Sequence, residues 1–89
     1  MSNQLVAFTP AADVILTEYV KNQLDAISKQ FPDVLTEQAN ETDPRLALYA
    51  WYPDRFPCFI IFENGVRKAS INAKLTDLEI IDWVNNNLG

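Results

Sequence analysis

Few side chains in this sequence could carry out covalent or acid–base chemistry. The chain of 89 residues contains one cysteine, Cys58, and no histidine. A single cysteine cannot form an internal disulfide, and without imidazole the chain lacks the usual general base and a common zinc ligand. Its serine and threonine residues therefore have no evident base with which to form a hydrolase triad. Cys58 is the candidate nucleophile.

Two interpretations of Cys58 remain open. It follows Pro57 and begins the apolar run 58–62, where a free cysteine is typically a small hydrophobic residue at the start of a buried strand. The alternative is a reactive thiol that forms mixed disulfides. Among its sequence neighbours only Arg55 could lower the thiol pKa, which favours the first interpretation.

The carboxylates do not form a recognisable site in the sequence. Asp13, Asp43 and Asp54 are well separated, and Asp43 precedes Pro44, which is typical of a helix cap. Solvated carboxylates are ordinary in a chain of net charge −5. The sequence therefore predicts neither a metal site nor a cofactor.

The charge and the hydropathy of the sequence argue against nucleic-acid and membrane partners. Seven Lys and Arg residues are scattered along the chain, whereas nucleic-acid binding requires clustered cations. No apolar run approaches the roughly 20 residues that span a bilayer. We therefore expect no nucleic-acid partner, no membrane association and a cytoplasmic location.

The first half of the chain predicts a β-α-β unit. Residues 4–8 are typical of a strand, and Thr9 and Pro10 suit the N-cap and first position of a helix. One helical stripe follows at Leu16, Val20, Leu24, Ile27 and Phe31. Pro32 ends this helix, and the polar content of residues 34–39 predicts an edge strand.

The second half contains sharper local signals. Asp43-Pro44 predicts a short helix to about Trp51, residues 52–57 a loop, and residues 58–62 a buried strand. Asn64-Gly65 predicts a type I′ hairpin turn into an antiparallel strand at 66–71. Thr76 and Glu79 predict a capping box for a last helix. Its expected buried face is Leu78, Ile81, Val84 and Leu88.

These elements predict one α/β domain over residues 1–89. Their order is β-α-β-α-β-β-α, in which the first β-α-β gives a parallel pair and the hairpin adds an antiparallel strand. We expect a four-stranded mixed sheet with helices on both faces.

Residues 56–66 resemble the cis-proline strand and hairpin of the thioredoxin family, with Pro57 at the cis-proline. Residues 5–8, 40–44 and 71–88 resemble the family's central strand, its Asn-x-Asp segment, and its final loop and helix. The resemblance implies a thioredoxin-like fold lacking the first strand and helix, with a cis bond between Phe56 and Pro57.

The departures from the family concern its redox residues. The Cys-x-x-Cys pair falls on residues 11–14 or 14–17, neither of which contains cysteine. The family's buried acid falls on Ala7, and its partner lysine falls near Gln38. The resemblance therefore implies a redox-inactive protein.

The resemblance also implies a groove that binds another protein or an extended peptide segment. The predicted groove residues are Thr9, Pro10, Ala11, Ala12, Asp13, Tyr52, Arg55, Phe56, Pro57, Asn72 and Ala73. Two alternatives remain. The first is a monothiol or glutathione-type enzyme that uses Cys58. The second is a subunit that contributes interface area to a larger assembly, for which the unpaired edge of the strand at residues 34–39 would be available. The sequence leaves the oligomeric state undetermined.

Overall fold

The architecture follows the predicted order of strands and helices. The computed structural model of the chain describes residues 3–48 and 57–88. Along these residues run β1 (Asn3–Thr9), α1 (Val14–Gln30), β2 (Val34–Asn40), α2 (Pro44–Leu48), β3 (Cys58–Glu63), β4 (Val66–Asn72) and α3 (Asp77–Asn87). None of the helices in this described part is long and apolar enough to span a membrane.

The strands form one mixed sheet in the order β2-β1-β3-β4. β1 pairs in parallel with β2, and α1 provides the crossover that a parallel pair requires. The other two pairings, β1 with β3 and β3 with β4, are antiparallel. The prediction that β2 lies at an edge is confirmed.

Helices pack on both faces of the sheet, as predicted. Successive strand residues point to opposite faces, so the side chains of the central strand β1 divide between two apolar clusters. Leu5 and Ala7 pack with residues of α1 and α3, whereas Val6 and Phe8 pack with Leu46 of α2. All four of these β1 side chains are fully buried. The central strand is therefore covered on both sides.

Local signals in the second half of the chain are confirmed. Asn64 and Gly65 both have positive φ, at 53° and 82°, which a type I′ turn requires. In the capping box, the Thr76 hydroxyl accepts from the Glu79 N–H at 3.2 Å, and the Thr76 N–H donates to the Glu79 carboxylate at 2.9 Å. The turn of the hairpin and the start of α3 therefore lie where the sequence predicts them.

The predicted start of the first helix is wrong. Thr9 does not cap α1: it is the last residue of β1, where it is buried and pairs with Asn40 of β2. Pro10 is accordingly not helical, and α1 begins at Val14 with Asp13 as its N-cap. The pairing with β2 extends the strand through Thr9, and this contact with a distant segment prevails over the local capping preference.

The predicted buried face of α3 is wrong at Leu78. This side chain is 81% exposed, whereas Ile80 and Val84 are fully buried. Two residues turn a helix by about 200°, so a face centred on Ile80 and Val84 leaves Leu78 toward solvent. Ile81 and Leu88 are half-buried at the margins of that face.

Candidate functional site

The described residues of the predicted groove lie at one end of the sheet. Phe8 near the end of β1 pairs with Cys58 at the start of β3, and Cys58 pairs with Asn72 at the end of β4. Thr9 ends β1 and residues 10–13 follow it, Pro57 precedes β3, and Ala73 follows β4. The register therefore brings these segments together. Three predicted groove residues lie outside the described part of the chain: Tyr52, Arg55 and Phe56. The predicted cis bond between Phe56 and Pro57 therefore also lies outside it.

The connection from β1 to α1 is held by short-range hydrogen bonds. The Asp13 carboxylate accepts from the Leu16 N–H at 3.0 Å and so caps the helix. The Asp13 N–H donates to the Pro10 carbonyl at 3.1 Å, and the Thr17 hydroxyl donates to the Asp13 carbonyl at 2.8 Å. These contacts fix the turn at which the resemblance would place a cysteine pair.

A contact with the turn after β2 adds a second carboxylate to this region. The Ala11 N–H donates to the Glu41 carboxylate at 2.7 Å. Asp13 and Glu41 therefore both use a carboxylate oxygen to satisfy backbone donors around the N-terminus of α1. Their negative charges interact favourably with the positive end of the helix dipole and partly neutralise it.

The first turn of α1 presents two apolar side chains to solvent. Val14 is 69% exposed and Ile15 is 83% exposed. With Pro10, Ala12 and Asp13 they line an open depression of about 530 Å³. Pro10, Ala12 and Asp13 belong to the groove predicted from the sequence, whereas Val14 and Ile15 do not. Both residues are apolar yet lie outside the helical stripe that begins at Leu16, and that position could have identified them.

Cys58 lies beneath the surface of this region. Its side chain is fully buried in the apolar cluster that contains Phe8, Leu46 and Ile60. Burial raises the pKa of the Cys58 thiol to about 12, because an apolar environment disfavours the thiolate. This placement favours the interpretation of Cys58 as a small hydrophobic residue.

A polar depression adjoins the same turn on the side of β2. It measures about 270 Å³ and is lined by Thr9, Ala11, Thr17, Gln38, Ala39 and Asn40. The Gln38 amide donates to the Thr17 carbonyl at 2.9 Å, and the hydroxyls of Thr9 and Thr17 are 3.3 Å apart. Gln38, near which the resemblance places a lysine, therefore links β2 to α1.

Arg45 forms an ion-pair cluster that the sequence analysis missed. Its guanidinium donates to Glu37 of β2 and to Asp43, with Nη2 lying 2.8 Å from Asp43 Oδ2. The guanidinium carbon also lies 5.6 Å from the centroid of the Phe8 ring. The hydrogen bonds from Arg45 lower the pKa of Asp43, and both carboxylates raise that of Arg45. The cluster fixes α2 on the sheet.

Solved structures identify the fold. Thioredoxin O2 from Arabidopsis thaliana, in its oxidized state, is 17% identical with a TM-score of 0.73, and the match covers 96% of this chain and 74% of that one. Fasciola hepatica thioredoxin is 12% identical with a TM-score of 0.75, over 98% of this chain and 82% of that one. No protein-family model and no curated protein sequence matches the chain. The chain has a thioredoxin-like fold.

Proposed function

We propose that this protein does not exchange disulfides and instead binds an extended segment of another protein. The binding region is the end of the sheet formed by residues 9–13, Pro57 and residues 72–73. The observation that carries the proposal is the full burial of Cys58 in a chain that has no second cysteine.

The chemistry of thiol–disulfide exchange supports the first part of the proposal. Exchange begins with attack by an accessible thiolate, and release of the resulting mixed disulfide uses a second thiol. Cys58 is shielded from solvent, and its pKa is raised to about 12. At the two placements of the cysteine pair, the cysteine positions are occupied by Ala11 and Val14 or by Val14 and Thr17.

The surface of the same region supports the second part. A helix of a globular protein normally places polar residues on its solvent side, yet Val14 and Ile15 are exposed beside Pro10 and Ala12. These adjacent exposed side chains offer apolar surface that a bound segment would cover. An extended segment lying across the sheet end would contact this patch together with residues 72–73 at the end of β4.

Reduction of a protein disulfide by excess dithiothreitol tests the first part. We expect the wild-type rate to equal the dithiothreitol background and to be unchanged in Cys58→Ser. Circular dichroism must show that this variant folds, because a buried hydroxyl without a partner costs about 1–3 kcal/mol. Wild-type turnover that the substitution abolishes would instead establish the monothiol enzyme.

Selection from a random peptide library displayed on phage tests the second part. We expect enriched peptides, and we expect a synthetic copy of one to shift the amide resonances of residues 9–16 and 72–73. The proposal would be contradicted by no enrichment over an empty support. Shifts confined to the β2 edge near Thr36 and Gln38 would also contradict it, because binding would then use the bare edge strand.

A further inference from the structure

We propose that the segment bound at this site carries an aliphatic or aromatic side chain with lysine or arginine beside it. The proposal rests on the proposed function and specifies the chemistry of the partner. The surface concerned is the α1 N-terminal patch, which we define as Pro10, Ala12, Asp13, Val14 and Ile15.

The apolar part of the ligand follows from the exposed side chains of the patch. Val14 and Ile15 are neighbours on the first turn of α1 and expose most of their surface to water. They border a depression large enough for one aliphatic or aromatic side chain. Covering these groups removes apolar surface from water, which is the main source of affinity at such a contact.

The basic part of the ligand follows from the carboxylates around the patch. Asp13 belongs to the patch, and Glu41 accepts from the N–H of Ala11, which lies in the chain between the patch residues Pro10 and Ala12. Glu18 is exposed one helical turn beyond Val14. All three carboxylates remain at the surface, where a cationic segment can approach them.

The described cations leave this acidic rim largely uncompensated. Arg45 is bound by Glu37 and Asp43, and Lys68 is bound by Glu63. Lys74 lies over the Tyr19 ring at 4.8 Å from its centroid. On α1, Lys21 lies three residues after Glu18, where it can pair with that carboxylate, and Lys29 is in the last turn. Arg67 donates to the Ser70 hydroxyl. Asp13 and Glu41 form no ion pair among the described residues.

The helix N-terminus does not reverse this preference for cations. Free N–H groups at a helix start attract anions, which would favour an acidic segment. Here Asp13 is the N-cap and already accepts from the Leu16 N–H, so its charge lies at the start of the helix. A second negative charge would meet Asp13 and Glu41, so an acidic segment is disfavoured.

The composition of the peptides selected from the random phage library tests the proposal. We expect the sequences enriched on the wild type to place an apolar residue next to Lys or Arg. A synthetic copy should bind Ile15→Ser about tenfold more weakly because apolar burial is lost. It should bind Glu41→Gln about two- to fivefold more weakly, the range for an exposed ion pair.

Matched variants at the opposite end of the sheet provide the control. Leu35 is 63% exposed and Asp33 is exposed, and both lie near the start of β2. Leu35→Ser and Asp33→Asn remove the same kinds of group, and we expect each to bind the peptide as the wild type does. Equal losses in these controls would overturn the proposal, since general hydrophobicity and net charge would then explain the binding.

The outcomes separate this proposal from the proposed function. Enriched peptides that shift residues 9–16 and 72–73 but lack basic residues, or that bind Glu41→Gln unchanged, would overturn the charge preference alone. A library that yields no enriched peptide would overturn both proposals. Basic apolar peptides that lose affinity in Ile15→Ser and Glu41→Gln, but not in the controls, would support both.

Discussion

At the level of single residues, the environment of Cys58 determines what its thiol can do. The residue type permits nucleophilic chemistry, but the side chain is fully buried in the apolar cluster that contains Phe8, Leu46 and Ile60. A thiol needs exposure and nearby positive charge to become a reactive thiolate. Among the described residues, Cys58 has an apolar environment instead and packs in this cluster.

We predict that native Cys58 resists alkylation. A pKa of about 12, against an ordinary 9.0, lowers the thiolate fraction at neutral pH about a thousandfold. Iodoacetamide labelling followed by mass spectrometry should therefore be at least that much slower in buffer than in concentrated urea. Comparable rates in the two conditions would show that the thiol is accessible.

Asp13 is a single residue with two separable roles, as a cap and as a charge. We predict that Asp13→Ala lowers the free energy of unfolding by about 0.5–2 kcal/mol because the cap is lost. Asp13→Asn retains an acceptor and loses only the charge, which contributes about 0.3–1 kcal/mol at a helix N-terminus. Urea denaturation measures both. An equal cost for the two variants would mean that the capping hydrogen bond contributes little.

At the level of secondary-structure elements, the Arg45 cluster links three parts of the fold. Arg45 lies in α2, Glu37 in β2, and Phe8 near the end of β1. The described part of α2 has five residues, and a helical segment of that length is not stable alone. Its position therefore depends on Leu46 in the apolar cluster and on this ion-pair cluster.

We predict that acid removes the contribution of the Asp43–Arg45 pair to stability. The folded-state pKa of Asp43 lies below its ordinary value of 3.8. Between these two pKa values the unfolded chain binds more protons, so stability decreases as the pH falls through this window. The difference in unfolding free energy between wild type and Arg45→Met should shrink over the same window.

Urea denaturation across that pH range measures the effect, with Asp43→Asn as the matched control. This variant cannot titrate at position 43, so its difference from a double variant with Arg45→Met should change less with pH. An Arg45→Met effect that is constant down to the lowest pH would contradict the link to Asp43.

At the level of the whole molecule, the order of strands in the sheet predicts which strands unfold last. β1 lies between two strands, and Leu5, Val6, Ala7 and Phe8 are fully buried. β2 has a neighbour on one side only within the described sheet. Opening of a central strand requires nearly global unfolding, whereas an edge strand can open locally.

We therefore predict that amide hydrogen exchange is slowest in β1 and β3 and faster in β2. Exchange followed by two-dimensional NMR should give the β1 amides protection close to the global free energy of unfolding. If the peptide binds at the α1 N-terminal patch, the protection of residues 11–16 should rise without a matching change at residues 34–37. Equal protection of β1 and β2 in the free protein would contradict the expected order of opening.

Local chemistry was sufficient to predict the elements whose signals lie within a few residues. The Asn64-Gly65 turn, the Thr76–Glu79 capping box and the apolar stripe of α1 depend on backbone conformation and side-chain spacing alone. Their order then restricted the topology to a mixed sheet with a parallel first pair, because a β-α-β unit permits few arrangements.

Contacts between distant segments decided the rest. Thr9 is a strand residue because it pairs with Asn40, and Leu78 is exposed because Ile80 and Val84 set the buried face of α3. Arg45 meets Glu37 only after α2 has packed on the sheet, and the raised pKa of Cys58 arises from burial by other elements. Burial and pairing depend on the three-dimensional arrangement of the chain, so the local pattern could not predict these features.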